Sequence, residues 1–225
     1  MVTPIAWDRT FRVISTKYPT VLVFDRIADA RDFELLLEVE QLTNPRAKEE
    51  AGAYWKIRPD DRVAGPGTTP IMASFVYAQP SRFCDGTFGV YYAAHDETTA
   101  IAESVFHTER RLRYTAEPSI DIDKRIYAAR IKGDYDDIRP LKNRSRLYGP
   151  DPAAYAYPQA YARKLWDGNN LDGIVYRSVR NPGGECVAAF RPRLIDRCEI
   201  AKYIQMRWDG NRVAAITEIT PIPSH

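Results

Sequence analysis

The sequence is poor in the residues on which metal and redox chemistry depends. Its 225 residues include three histidines, one of them the terminal His225, and three cysteines, Cys84, Cys186 and Cys198. Ligands so few and so scattered speak against a zinc site, and no metal is expected. The cysteines are odd in number and form no CxxC pair, so they read as reduced cytosolic thiols. An excess of charge is lacking too: 32 lysines and arginines against 30 acids leave +2, too little to argue for direct nucleic acid binding. No window approaches the roughly 20 apolar residues of a membrane span. The N-terminal "MVTPIAWDRTFRV" carries charges where a signal peptide needs an apolar centre. The expectation is therefore a cytoplasmic protein. Internal repeats and low-complexity linkers are missing as well. "AGPGTT" lacks the lysine and the strand–helix setting that a phosphate loop requires.

What is present fits a globular chain, with 44% hydrophobic and 28% charged residues. The length suits a single domain over residues 1–225. "TFRVIS" predicts a short strand, and "DARDFELLLEVEQL" a helix with Asp29 as N-cap and Asn44-Pro45 as its stop. Residues 52–70 are rich in Gly and Pro and read as a loop with room for one short strand, a mobile flap. "FGVYYAA" predicts a buried strand, followed by a helix over "DETTAIAESVFHTERRLRY" with Asp96 as N-cap. "KRIYAARIKG" reads as a strand ended by "DYDDIRP", and "PQAYARKLWDG" as a helix with Pro158 in its first turn and Gly168 past its end. "GIVYRSVR" and "ECVAAFRP", joined by "NPGG", predict a hairpin, and "KYIQMRW" with "RVAAITEI" a second one within 196–225. Strands outnumber helices and cluster late, which points to an α+β fold, mixed sheets with flanking helices.

Chemistry concentrates in "RFCDGTFGVYYAAHDETTAIAESVFH", from Arg82 to His107. With about 100° per residue, Ile101, Ala102, Val105, Phe106 and Leu112 share a broad arc of the helix, its expected core face. Glu103 and His107, one helical turn apart, lie together just beyond that arc, where neighbours at this spacing touch. Spacing alone also fits a solvated carboxylate–imidazole pair. Arg82 on the approach to the strand and Tyr92 near its end converge on the same flank. Strand alternation puts Tyr91 and Tyr92 on opposite faces, so only one of them can serve the site. An arginine for a pyrophosphate, an aromatic ring for a heterocycle and a carboxylate for a ribose would suit a dinucleotide.

Arg82, "GVYYAA", Glu103 and the later "GIVYRSVRNPGGECVAAFRP" resemble the RES-domain family, toxins of bacterial toxin–antitoxin pairs. That family carries an arginine followed by Trp or Phe, a tyrosine ten residues on and a glutamate eleven further. Arg82-Phe83, Tyr92 and Glu103 reproduce this order and spacing. The likeness runs from about Phe11 to Pro192, and Cys84 is a departure, since relatives tend to carry serine or asparagine there. The resemblance implies a fold related to ADP-ribosyltransferase toxins and cleavage of the nicotinamide–ribose bond of NAD, which is substrate, not a resident cofactor. It implies Glu103 as the carboxylate beside the ribose, Arg82 and Arg12 as pyrophosphate clamps, and Tyr92 against nicotinamide or ribose. It also implies Ser178 on the nicotinamide side, while His107, by its spacing from Glu103, is placed to orient Glu103 or the acceptor. A partner antitoxin of the Xre type is implied too, and an acceptor that is water, phosphate or a protein. A ribonuclease-type toxin and a non-catalytic NAD-binding or protein-interaction module are the competing readings.

Overall fold

Two long strands carry the architecture. β1 (Val2–Ser15) and β3 (Ile120–Asp137) run antiparallel from Val2 opposite Asp136 to Ser15 opposite Lys124. The computed structural model that gives this register describes residues 1–16, 54, 57–141 and 146–220. Around the pair lie β2 (Tyr91–Ala94), β4 (Gly173–Arg177), β5 (Glu185–Ala189), β6 (Ile195–Trp208) and β7 (Val213–Ile219). All seven belong to one sheet, ordered β1-β2-β5-β4-β3-β6-β7. Because β1 also pairs with β3, the first five close a circuit, and β6 and β7 extend from β3. β4 runs parallel to β3 and the other pairings are antiparallel, so the sheet is mixed. With helices α1 (Thr69–Val76), α2 (Glu97–Leu112) and α3 (Ala156–Gly168), the described residues make an α+β fold, as expected.

β4 and β5 read as unbroken apolar runs because the sheet is covered on both faces there. Val175 and Val187 join one buried cluster, while Ile174, Cys186 and Ala188 join another with Ala162 of α3. A third cluster, Ile126, Ile204 and Met206, receives Ile101 and Val105 from α2. Asp96 caps α2 as expected, its Oδ1 accepting from the Thr99 amide at 2.8 Å. Both expected hairpins form, β4–β5 and β6–β7.

Several elements differ from the sequence reading, each for a local reason. β1 begins at Val2, well before "TFRVIS". It tolerates Pro4 because that half of β1 has only β3 beside it among the described residues, an edge setting. β3 continues through "DYDD", where the acids are paired: Asp136 takes the Met1 ammonium at 3.0 Å and Asp137 takes Arg139 at 2.7 Å. α3 starts at Ala156 and includes Gly168, and the left-handed cap is Asn169 with φ 56°. α1 was not foreseen. The described part of 52–70 holds the 3-10 turn Pro59–Asp61 and no strand, and the turn is pinned: buried Asp61 accepts from Arg191 at 3.0 Å and Arg193 at 2.7 Å. On α2 the buried residues are Thr99, Ala100 and Thr108, while Ala102 and Phe106 are only half-buried, so the core arc is rotated from the expected one. The helix expected over 29–42 lies outside the described residues. No helix among those described is long and apolar enough to cross a membrane.

Candidate functional site

β1, β2 and the facing flank of α2 enclose a cleft of about 330 Å³. Five of the six residues singled out from the sequence line it: Arg12, Arg82, Tyr92, Glu103 and His107. Ser178 stands behind the wall and touches the cleft through Glu103.

Each side chain arrives by a simple route. Tyr91 and Tyr92 point to opposite sides of β2, as strand alternation demands. Tyr91 is buried in the first cluster and Tyr92 faces the cleft. Arg12 lies between them, its guanidinium 4.8 Å from the Tyr91 ring centre and its Nη1 donating to the Tyr92 carbonyl at 3.5 Å. Desolvation holds the Arg12 pKa below its ordinary value. The Tyr92 phenol has a task of its own. Its oxygen accepts from the Phe83 amide at 2.9 Å and shares a hydrogen bond with Ser81 Oγ at 2.9 Å, gripping both neighbours of Arg82. Burial pushes that phenol's pKa up.

Arg82 itself is 9% exposed, donates to the Leu147 carbonyl at 3.2 Å and lies 5.1 Å from the Tyr155 ring centre. Cys84 fits the turn beyond it. Its thiol donates to the Phe88 carbonyl at 2.9 Å and accepts from the Gly86 amide at 3.3 Å, the exchange a serine hydroxyl would make.

Glu103 and His107 share a wall of the cleft, but no hydrogen bond joins them among the described residues. Glu103 is instead held by Ser178, whose hydroxyl donates to Oε1 at 2.6 Å. The direction of that bond is fixed. Ser178 Oγ already accepts from the amides of Arg180 and Asn181, each at 3.0 Å, so its one proton is left for the carboxylate. His107 has an exposed outer side, yet its pKa is pushed down to about 4, first by desolvation and then by Arg180, Arg110, Arg111 and Arg82. The imidazole is neutral at pH 7, an acceptor and not a counter-charge for Glu103.

Among the cleft residues that sequence reasoning missed are Arg111, Lys124, Tyr155 and Arg180. Arg111 was legible one turn beyond His107. Arg180 stood in the quoted "SVR", and its guanidinium lies 3.3 Å from the Phe106 ring centre, closing the cleft beside Glu103. Nothing in the pattern of β3 signalled Lys124, whose Nζ donates to Thr108 Oγ1 at 3.1 Å. The charged lining thus comprises Arg12, Arg82, Arg111, Lys124, Arg180 and one carboxylate, Glu103. Such a cleft suits an anionic ligand with one electron-poor centre placed against Glu103. Among the described residues no group of three His, Cys, Asp or Glu could hold a metal ion.

Comparison with known proteins places the chain in a family. A family model described as the RES domain matches residues 53–209, which include every cleft residue named above except Arg12. The uncharacterized protein y4oC of Sinorhizobium fredii (strain NBRC 101917 / NGR234) is 28% identical over 217 residues, covering 93% of this chain and 86% of the relative.

Proposed function

The chain belongs to the RES-domain family, and on that premise we propose that it cleaves the nicotinamide–ribose bond of NAD as the toxin of a toxin–antitoxin pair. The observation that carries the reading is the Glu103 carboxylate, held at 2.6 Å by Ser178 in a cleft whose other charged lining residues, Arg12, Arg82, Arg111, Lys124 and Arg180, are all cations. In NAD the bond between ribose C1′ and the pyridinium nitrogen breaks with its electron pair going to nitrogen, so nicotinamide leaves neutral. No general acid is needed, unlike ordinary glycoside hydrolysis. Positive charge develops on the ribose instead, and a preorganised carboxylate stabilises it.

The other residues take roles that their placement supports. Arg82 and Arg12 hold the pyrophosphate by charge-assisted hydrogen bonds. The Tyr92 ring packs against nicotinamide or ribose while its hydroxyl holds the Arg82 loop. Neutral His107 accepts a hydrogen bond from the acceptor, which is water, phosphate or a protein side chain. Ser178 acts on Glu103, not on nicotinamide. A relationship of the fold to ADP-ribosyltransferase toxins and a cytoplasmic site of action belong to the same proposal. So does an Xre-type antitoxin that covers the cleft, since an enzyme draining NAD stops the growth of its own cell.

The test is direct. Purified protein, freed of any partner, is incubated with NAD and separately with total RNA. Release of nicotinamide is expected. Intact NAD with degraded RNA would overturn the proposal in favour of a nuclease, and NAD bound but unchanged would favour a binding module.

A further inference from the structure

Glu103 is held in place by more than Ser178, and we propose that Thr99 and Asn181 are positioning residues that aim its carboxylate. The inference rests on the proposed NAD-cleaving role of Glu103 and adds the device that orients it. Thr99 is 0% exposed. Its hydroxyl donates to the Asp96 carboxylate at 2.6 Å, because an ionised carboxylate can only accept. The Thr99 oxygen must then accept from whatever faces it, and what faces it is the Asn181 side chain at 2.8 Å. Asn181 therefore presents its NH2 group to Thr99, which anchors to α2 the turn whose Asn181 backbone amide donates to Ser178 Oγ at 3.0 Å. With the Arg180 amide occupying the second lone pair of that oxygen, the Ser178 proton has one place to go, Glu103 Oε1.

The relay thus runs Asp96, Thr99, Asn181, Ser178, Glu103, with the Thr99 and Ser178 hydroxyls and the Asn181 side-chain amide oriented by their neighbours and the Asn181 backbone N–H a donor by nature. It ties the first turn of α2 to the turn after β4 and returns to α2 one turn later. Gly184 completes the fit: its carbonyl accepts from the Ser178 amide at 2.8 Å, and a Cβ on it would collide with the Thr99 hydroxyl. Among the described residues the second carboxylate oxygen of Glu103 accepts no hydrogen bond and is left for the ribose.

Thr99→Val keeps the shape and removes the hydroxyl, whereas Thr99→Ser keeps the hydroxyl. The expected result is that Thr99→Val lowers kcat for nicotinamide release about tenfold with KM within about twofold, and that Thr99→Ser restores most of the rate. Asn181→Leu is expected to behave like Thr99→Val. Amide hydrogen exchange of Arg180 and Asn181 reads the relay without any substrate, and both amides are expected to exchange faster in Thr99→Val but not in Thr99→Ser. Unchanged kcat in a folded Thr99→Val protein, or a Thr99→Ser protein as slow as Thr99→Val, would overturn the proposal. If wild-type protein leaves NAD intact, the NAD reading fails by itself and exchange decides the relay: unchanged protection in Thr99→Val rejects it.

Discussion

At the scale of single residues the charge on Glu103 carries the most weight. Glu103→Gln keeps size and shape and removes the negative charge where, on the proposed reaction, the ribosyl cation forms. Loss of one preorganised electrostatic contact lowers turnover by about 10²–10³. The expected outcome is a kcat reduced by that factor, a KM changed less, and an unchanged melting curve, measured by nicotinamide release. Near wild-type turnover would sink the mechanism. His107 makes a prediction of different sign. Its pKa in the folded protein, about 4, lies below the ordinary 6.5, so between those values the unfolded chain binds more protons. Stability therefore falls as pH drops from about 6.5 toward 4, and the contribution of the neutral imidazole is complete above that window. Because its outer side is exposed, the effect is modest. Melting temperatures of wild type and His107→Gln at pH 7 and pH 4.5 check it: the variant is expected to lose less on acidification.

At the scale of elements the coupling of β2 to the Arg82 turn is the testable point. Tyr92→Phe keeps the ring against the cleft and deletes the hydroxyl that grips Ser81 and Phe83. On the proposed roles, Arg82 is then less well placed to bind the pyrophosphate. A several-fold rise in KM is expected with a smaller change in kcat, and about 1 kcal/mol is lost from stability in a urea titration. A Tyr92→Phe protein with wild-type KM would show the phenol to be incidental.

Legibility follows the same scale. α2 was readable because Asp96 and the apolar period coincide, and Arg82, Tyr92 and Glu103 because their spacing crosses one turn, one strand and one helix. α1 was not readable: "TPIMASFV" buries five of its eight residues, so no polar face marks a helical period. "DYDD" looked like a break because the charges that pair its acids, the Met1 ammonium and Arg139, are tertiary neighbours. The true partner of Glu103 was hidden for a similar reason. Helical spacing advertised His107, four residues away, whereas Ser178 is 75 residues away and meets Glu103 only once β4 is in the sheet. Local patterns reveal which side chains share a surface, and long-range pairing decides which of them touch.

At the scale of the whole molecule the buried pair of Asp61 and Arg191 fastens the 59–61 turn to the segment after β5. The two partners are 5% and 6% exposed, 3.0 Å apart and 130 residues apart in sequence. Removing one member leaves a buried charge short of its partner, a loss of about 3 kcal/mol. Asp61→Ala is expected to shift the urea midpoint accordingly while the cleft residues keep their contacts. A loss below about 0.5 kcal/mol would mean that Asp172 and Asn169 suffice as partners for Arg191.

The closed circuit of strands also sets a clock. Arg12, on the first strand, leaves the ribosome early, but its floor under the cleft needs β3, and the circuit closes only when β5 has paired with both β2 and β4. Ser178, which holds Glu103, lies between β4 and β5. At roughly 5–20 residues per second, the interval from Arg12 to the end of β5 is on the order of ten to thirty seconds. For that time the growing chain carries its arginines and its glutamate without a cleft to put them in. On the proposed reaction, a cell meets an inactive polypeptide for most of each round of synthesis, and the proposed antitoxin needs to arrive only at the end.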